Sequence, residues 1–220
     1  RNFSRKEYAA SAQNWAIVQD PRGVIYVGNG SGVLEFDGLR WRLIPTANKT
    51  TVRSLAVDST GRVYVGAVGE IGTLEPDASG RMRYVSLLDR IPPESREFGD
   101  VWGIFATPDG VYFSSHQKLL RLSGNEVQVW DPETTFHLAF RVRDRLFVRE
   151  SERGLKELVA GRLQLVPGGE RFAEQKIYAM LPWEGADPAG RADPILIGTD
   201  TQGLFVLDGT SLRAFPTQAD

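Results

Sequence analysis

Residues 14–41 read NWAIVQDPRGVIYVGNGSGVLEFDGLRW, and this stretch decides the fold. Three apolar runs are cut apart by DPRG, NGSG and FDG. Ala16, Ile17 and Val18 are strand formers, and Asp20, Pro21, Arg22 and Gly23 supply a tight turn. Asp bonds the backbone that follows it, Pro presets φ, and Gly accepts φ > 0. Val24 to Val27 form a second strand, Gly28 to Gly32 break it, and Val33 to Phe36 form a third. Asp37-Gly38 is a favoured hairpin turn. Leu39, Trp41 and Leu43 then alternate with Arg40 and Arg42, the period of two of a half-exposed outer strand. The stretch is a four-stranded antiparallel meander that requires no helix.

The unit recurs. RSLAVDSTGRVYVGAVGEIGTLEPDASGRMRYVSL, from Arg53, aligns Asp58 with Asp20, Gly61 with Gly23 and VYVG with IYVG. A third copy, WGIFATPDGVYFSSHQKLLRLSGNEVQVW, sets Trp102 in the place of Trp15 and Gly110 in that of Gly23. A fourth and weaker copy runs from Phe136 to Val166. A fifth runs from Ile177 to Phe215, where ILIGTDTQGLFVLDG restates IYVGNGSGVLEFDG. The second turn of each copy ends at Gly38, Gly80, Gly124, Gly161 and Gly209, in steps of 42, 44, 37 and 48. Four-stranded repeats of roughly 40 to 50 residues are the sequence form of propeller blades. The expected fold is therefore an all-β propeller of about five four-stranded antiparallel blades over residues 1–220. The blades fall at about 14–45, 52–88, 101–130, 135–166 and 176–216. Residues 1–13 are a lead-in segment, or a strand that completes another blade.

A chain of 220 residues, 41% of them hydrophobic, is long enough to bury about 70% of its unfolded surface. No linker separates the copies. The polar pieces DRIPPESREFGD at 89–100 and PWEGADPAGRAD at 182–193 read as surface excursions. Net charge is −2 with both signs interspersed, so no basic stripe tracks phosphates and nucleic acid is not an expected partner. No apolar run is long enough to cross a bilayer, so the segment itself makes no membrane contact. Starting at Arg1 rather than Met, the chain reads as a processed or excised piece. With no cysteine there are no disulfides and no thiolate chemistry.

A Trp-x-Ile opening, Asp-x-x-Gly, YVG, then Gly-Val/Leu-x-x-Phe-Asp-Gly and an aromatic resemble the two-component regulator propeller repeat. Blade one carries the resemblance through Trp15, Ile17, Asp20, Gly23, Gly28, Gly32, Phe36, Asp37, Gly38 and Trp41. Blade five carries its second half through Gly198, Thr199, Gly203, Leu204, Asp208 and Gly209, and NFSRKEYAASAQNW resembles the lead-in of such propellers. Copies three and four depart from it. Ser123-Gly124 and Ala160-Gly161 replace Asp-Gly, and Arg145 stands where the turn Gly is expected. The resemblance implies a periplasmic sensor segment of a bacterial hybrid histidine kinase or related signalling protein. Its partner would be a small molecule, carbohydrates among the candidates, or a neighbouring receptor subunit. Such sensors carry more blades than five, so the chain reads as part of a larger propeller rather than a five-bladed ring closed by strand exchange. Open blade faces would favour association, a homodimer included.

In a propeller the first strand of each blade lines the central channel, and one set of loops surrounds its mouth. On this reading Asn14, Trp15, Arg53, Trp102, His137 and Tyr178 enter at that face. Asn29, Ser31, Glu70, His116, Gln117, Glu152, Thr199 and Asp200 lie on the loops between second and third strands. Rings, a guanidinium and hydrogen-bonding groups around one opening suit a polar ligand. The competing structural readings are that Trp15 and Trp102 pack between blades, that Trp41 and Trp130 fill inter-blade space, and that Arg53 pairs with a carboxylate such as Glu70. Asp20, Asp37, Asp58 and Asp208 read as turn formers. His116 and His137 have no third ligand spaced to join them in a metal site, and no cofactor is expected.

The first strands NWAIVQ, VRSLAV, VWGIFA, FHLAFR and KIYAML carry no Asp or Glu, which argues against a glycosidase that needs paired carboxylates. There is no Gly-x-Ser-x-Gly elbow. GNGSG at 28–32 precedes a strand rather than a helix and so lacks the dipole of a phosphate cradle. A non-catalytic sensor is the leading reading. An interaction scaffold lacks the blade-ending Trp-Asp or Gly-Gly signatures, and a quinone-dependent dehydrogenase has one suggestive blade, AVDSTGRVYVG.

Overall fold

The computed structural model describes residues 2–184, 193–209 and 211–216. Of the 182–193 excursion, residues 185–192 lie outside the described residues. The described residues form five four-stranded antiparallel sheets, each with its strands in sequence order. The first holds β1 (Asn14–Gln19), β2 (Ile25–Asn29), β3 (Gly32–Phe36) and β4 (Trp41–Ile44); the second β5 (Val52–Val57), β6 (Val63–Ala67), β7 (Glu70–Pro76) and β8 (Met82–Ser86). The third holds β9 (Val101–Thr107), β10 (Gly110–Ser115), β11 (Leu119–Ser123) and β12 (Glu126–Trp130). The fourth holds β13 (Phe136–Val142), β14 (Arg145–Glu150), β15 (Gly154–Val159) and β16 (Arg162–Leu165). The fifth holds β17 (Ile177–Pro182), β18 (Ile195–Thr199), β19 (Leu204–Asp208) and β20 (Ser211–Phe215). This is the all-β propeller architecture of five blades. The chain divides into two compact units, residues 1–131 with three blades and residues 132–220 with two.

Within the first unit, Tyr26, Val33 and Ile44 of blade one pack on Val52, Val63, Val65 and Leu74 of blade two. Ile71 of blade two joins Val101, Ile104, Phe113 and Leu120 of blade three. First strands lie against one another in turn, β1 on β5 and β5 on β9. In the second unit Phe147 and Leu155 of blade four pack on Ile177, Ile195, Ile197 and Phe205 of blade five, with Phe172 between.

The turns follow the sequence logic and add to it. Asp20 Oδ1 accepts the N–H of Arg22 at 2.9 Å and of Val24 at 3.1 Å, and Gly23 takes φ 86°. Asp58 receives Thr60 and Arg62 in the same way, at 2.8 and 3.0 Å. A tyrosine of the second strand then reaches back to the turn aspartate: Tyr64 to Asp58 at 3.1 Å and Tyr112 to Asp109 at 2.7 Å. In blade one Arg22 bridges Tyr26 and Asp20. The tyrosine of the YV pair is therefore a turn lock as well as a core residue. In blade four the turn shrinks to Arg143-Asp144, because Val142 pairs directly with Arg145. Arg143 takes the positive φ, 54°, and Arg145 is the first strand residue of β14 rather than a turn position.

Two expectations need correction. The connector at 89–100 is not only a surface excursion: Ile91 and Phe98, 1% and 0% exposed, enter the core between blades two and three. Two apolar residues suffice to pin a polar run, and average composition hides them. The lead-in also carries a one-turn helix, α1 (Arg5–Tyr8), capped by Ser4 and Glu7. Phe3 and Tyr8 pack with Trp41 at ring distances of 5.2 and 6.0 Å. Trp41 thus fills space beneath the lead-in, while Trp130 stacks on Tyr112 of its own blade at 6.1 Å.

Candidate functional site

The first strand of every blade contains a β-bulge near its start. Asn14 faces Asn29 and Ala16 faces Gly28, so Trp15 is the extra residue. Arg53 is extra between Val52 and Ser54, which face Ala67 and Gly66. Trp102 is extra between Val101 and Gly103, which face Ser115 and Ser114. In blade four His137 and Leu138 together face one residue, and in blade five Tyr178 is extra between Ile177 and Ala179. A bulge leaves one residue unpaired and re-aims its side chain. Opposite lies the glycine that closes YVG or LIG in blades one, two and five. A Cβ at Gly66 would come within 2.4 Å of Ser54 Oγ and 2.6 Å of Val101 Cγ1, and one at Gly28 within 3.0 Å of Val52 Cγ1. The repeat glycine makes room both for the bulge and for the next blade.

In the first unit three bulge residues converge. The guanidinium carbon of Arg53 sits 4.0 Å from the Trp15 ring centre and 4.8 Å from that of Trp102. The two indoles meet edge to face at 6.1 Å and 74°. Arg53 Nε donates to Asp100 Oδ1 at 2.7 Å. His116, from the loop after β10, stacks on Trp102 at 5.8 Å and 24°. Burial pushes its imidazole below the ordinary histidine value, against the opposing pull of Asp100, so the ring is neutral at pH 7. Trp15 stays 41% exposed. The tryptophans do bridge blades, but around a cation, and Trp15 keeps part of its surface in solvent. In the second unit His137 and Tyr178 meet edge to face at 5.3 Å and 89°, with Tyr178 57% exposed.

The other predicted residues stand elsewhere. Glu70 is not the partner of Arg53, which pairs with Asp100. It is buried, accepts the Ser86 hydroxyl at 2.5 Å, and together with burial keeps the neighbouring Tyr84 hydroxyl protonated. Its position at the start of β7 turns the side chain toward its own sheet. Asn14 accepts from Asn29 Nδ2 at 2.7 Å. Asn29, wholly buried, also binds the carbonyls of Ser11 and Gln13 and so anchors the lead-in. Ser31 accepts from Ser11 N. Asp200 caps the N–H of Lys176 at 3.3 Å, and the Thr199 hydroxyl donates to Gly203 O at 2.8 Å. Glu152 holds a positive φ of 61° and donates its N–H to Ala173 O. Asp100 was not singled out by sequence reasoning, since it closes a polar connector. The only signal was its place two residues before Trp102. Among the described residues no group of three or more His, Cys, Asp or Glu could hold a metal.

No family model matches this chain, and no curated protein matches it. Solved structures do. The extracellular domain of a hybrid two component system from B. thetaiotaomicron is 15% identical with a TM-score of 0.68, over 97% of this chain and 31% of that one. A second such extracellular domain from B. thetaiotaomicron is 18% identical, TM-score 0.59, over 96% and 34%. Virginiamycin B lyase from Staphylococcus aureus is 13% identical, TM-score 0.60, over 93% and 71%. The chain spans about a third of the length of the two extracellular domains. At these identities the likeness shows the fold: this is a β-propeller, of the class to which those extracellular domains also belong.

Proposed function

We propose that the chain is the ligand-sensing propeller segment of an extracytoplasmic receptor of the two-component type, and that it recognises rather than transforms its ligand. The observation that carries this reading is the corner formed by Trp15, Arg53, Trp102 and His116. Three first strands each deliver an unpaired bulge residue to one place. Rings and a cation with few other duties are what a binding surface for a small polar molecule needs. The repeat resemblance and the fold of the extracellular domains support the signalling context. No helix among the described residues is long and apolar enough to cross a membrane, which accords with a segment outside the bilayer. The ligand is a small molecule, carbohydrates included, or a neighbouring subunit.

The test is a thermal-shift and tryptophan-fluorescence screen of the chain against mono- and oligosaccharides, amino acids and nucleotides. At least one class should raise the melting temperature and change the emission of Trp15 and Trp102, and Trp102→Ala should lose the response while staying folded. A flat screen together with product formation from any of these compounds would replace sensing by catalysis.

A further inference from the structure

The Arg53 side chain is 19% exposed, and among the described residues a single one of its nitrogens is hydrogen-bonded within the protein. Nε donates to one oxygen of Asp100, and among the described residues no hydrogen bond reaches Nη1 or Nη2. Arg145 shows what a closed fork looks like in this molecule: its Nε and Nη2 each lie 2.7 Å from a different oxygen of Glu157. At Arg53 the two indoles and Asp100 instead fix the guanidinium and leave its terminal nitrogens without an acceptor.

A guanidinium fixed in this way, with two parallel donors that no protein acceptor fills and that solvent reaches, matches a planar acceptor of two hydrogen bonds. A carboxylate has that shape and charge, whereas a hydroxyl or an amide carbonyl offers a single oxygen without the charge or the second, parallel acceptor. The exposed part of Trp15 beside it offers a surface for the carbon skeleton of the same molecule. Resting on the sensing role proposed above, the geometry points to a small organic carboxylate as the ligand class, its two oxygens on Nη1 and Nη2 of Arg53 and its ring or chain against Trp15.

Calorimetric titration of the whole chain with matched acid and neutral pairs tests this: D-glucuronate against D-glucose for a sugar acid, and benzoate against benzyl alcohol for an aromatic one. The acid of one pair binds at least tenfold more tightly than its neutral twin, since a hydrogen bond to a charged group is worth about 1.5–3 kcal/mol. Which pair responds identifies the source of the carboxylate. Arg53→Met, checked for its fold by circular dichroism, abolishes the preference. Arg53→Lys, a point charge without the fork, keeps only part of it. Should the two members of each pair bind equally, or Arg53→Met keep the preference, the carboxylate assignment fails while ligand sensing stands. No binding of any of the four compounds also overturns the assignment, and the wider screen then decides the sensing role separately.

Discussion

The guanidinium carbon of Arg53 lies 4.0 Å from the ring centre of Trp15, and each of the two is the unpaired residue of a β-bulge in a different blade. The contact is thus built by two local irregularities that only blade stacking brings together. Its strength is measurable. In a double-mutant cycle with Arg53→Met and Trp15→Ala, read by urea unfolding, the coupling should be about 0.5–1 kcal/mol, the range of a cation–π pair near the surface. A coupling near zero would mean that the ring and the cation are neighbours without attraction.

Gly154 gives the sharpest stability test. It holds φ 109°, and a Cβ there would meet the backbone oxygen of Gly169 at 2.3 Å. Gly38 holds φ 98° with nothing within 4 Å. Gly154→Ala should therefore cost clearly more than Gly38→Ala, about 3 kcal/mol or above against about 1 kcal/mol. Equal midpoints in chemical denaturation would contradict the crowding at Gly154.

Asn29 is buried and holds the lead-in through Ser11 and Gln13. Asn29→Ala strips those bonds and leaves backbone groups unsatisfied, at a cost of about 1–3 kcal/mol. Limited proteolysis should then cut within residues 2–13 well before the rest of the chain. Protection like that of the parent protein would show that Phe3 and Tyr8 suffice to hold the segment.

Acid sensitivity follows from the turn aspartates. At Asp20 burial raises the carboxyl, but the Arg22 side chain and the N–H groups of Val24 and Arg22 outweigh it, and the net shift is below the ordinary value of 3.8. Asp58 behaves alike: burial raises it, and Thr60, Arg62 and Tyr64 bring it down. A carboxyl lowered in the folded state binds protons less readily there than in the unfolded chain. Its stabilisation is therefore full above pH 3.8 and is lost as pH falls through the folded value. His116, lowered by burial from 6.5, adds a loss of the same sign that begins as pH drops below 6.5. Melting temperature should decline first below pH 6.5 and again below 3.8. His116→Phe should remove the upper step, and Asp20→Asn should shrink the lower one. A melting profile for His116→Phe that still declines between pH 6.5 and 5 would assign that step to another group.

The convergence of Trp15, Arg53 and Trp102 in the first unit was legible because repeats align: the three share one column of the repeat, and one column means one place on the blade. Glu70 misled because a carboxylate in a turn looks available, whereas its burial depends on Ser86 and Tyr84 from a strand further on. Asp100 stayed hidden because nothing local distinguishes a connector aspartate from an ion-pair partner. Ile91 and Phe98 were missed for the same reason, since their burial is decided by blades two and three closing over them.

The sequence by itself determined the meanders. Alternating apolar residues, Asp-x-x-Gly turns and the YVG glycine act over a few residues, so short-range sterics and hydrogen bonding settle them before any blade meets another. Only the tertiary structure decided that the bulge tryptophans of two blades close around the guanidinium of the blade between them, and that Asp100 rather than Glu70 is its counter-charge. Those contacts join residues far apart in the chain, and their geometry is set by how sheet faces pack, which no local pattern encodes.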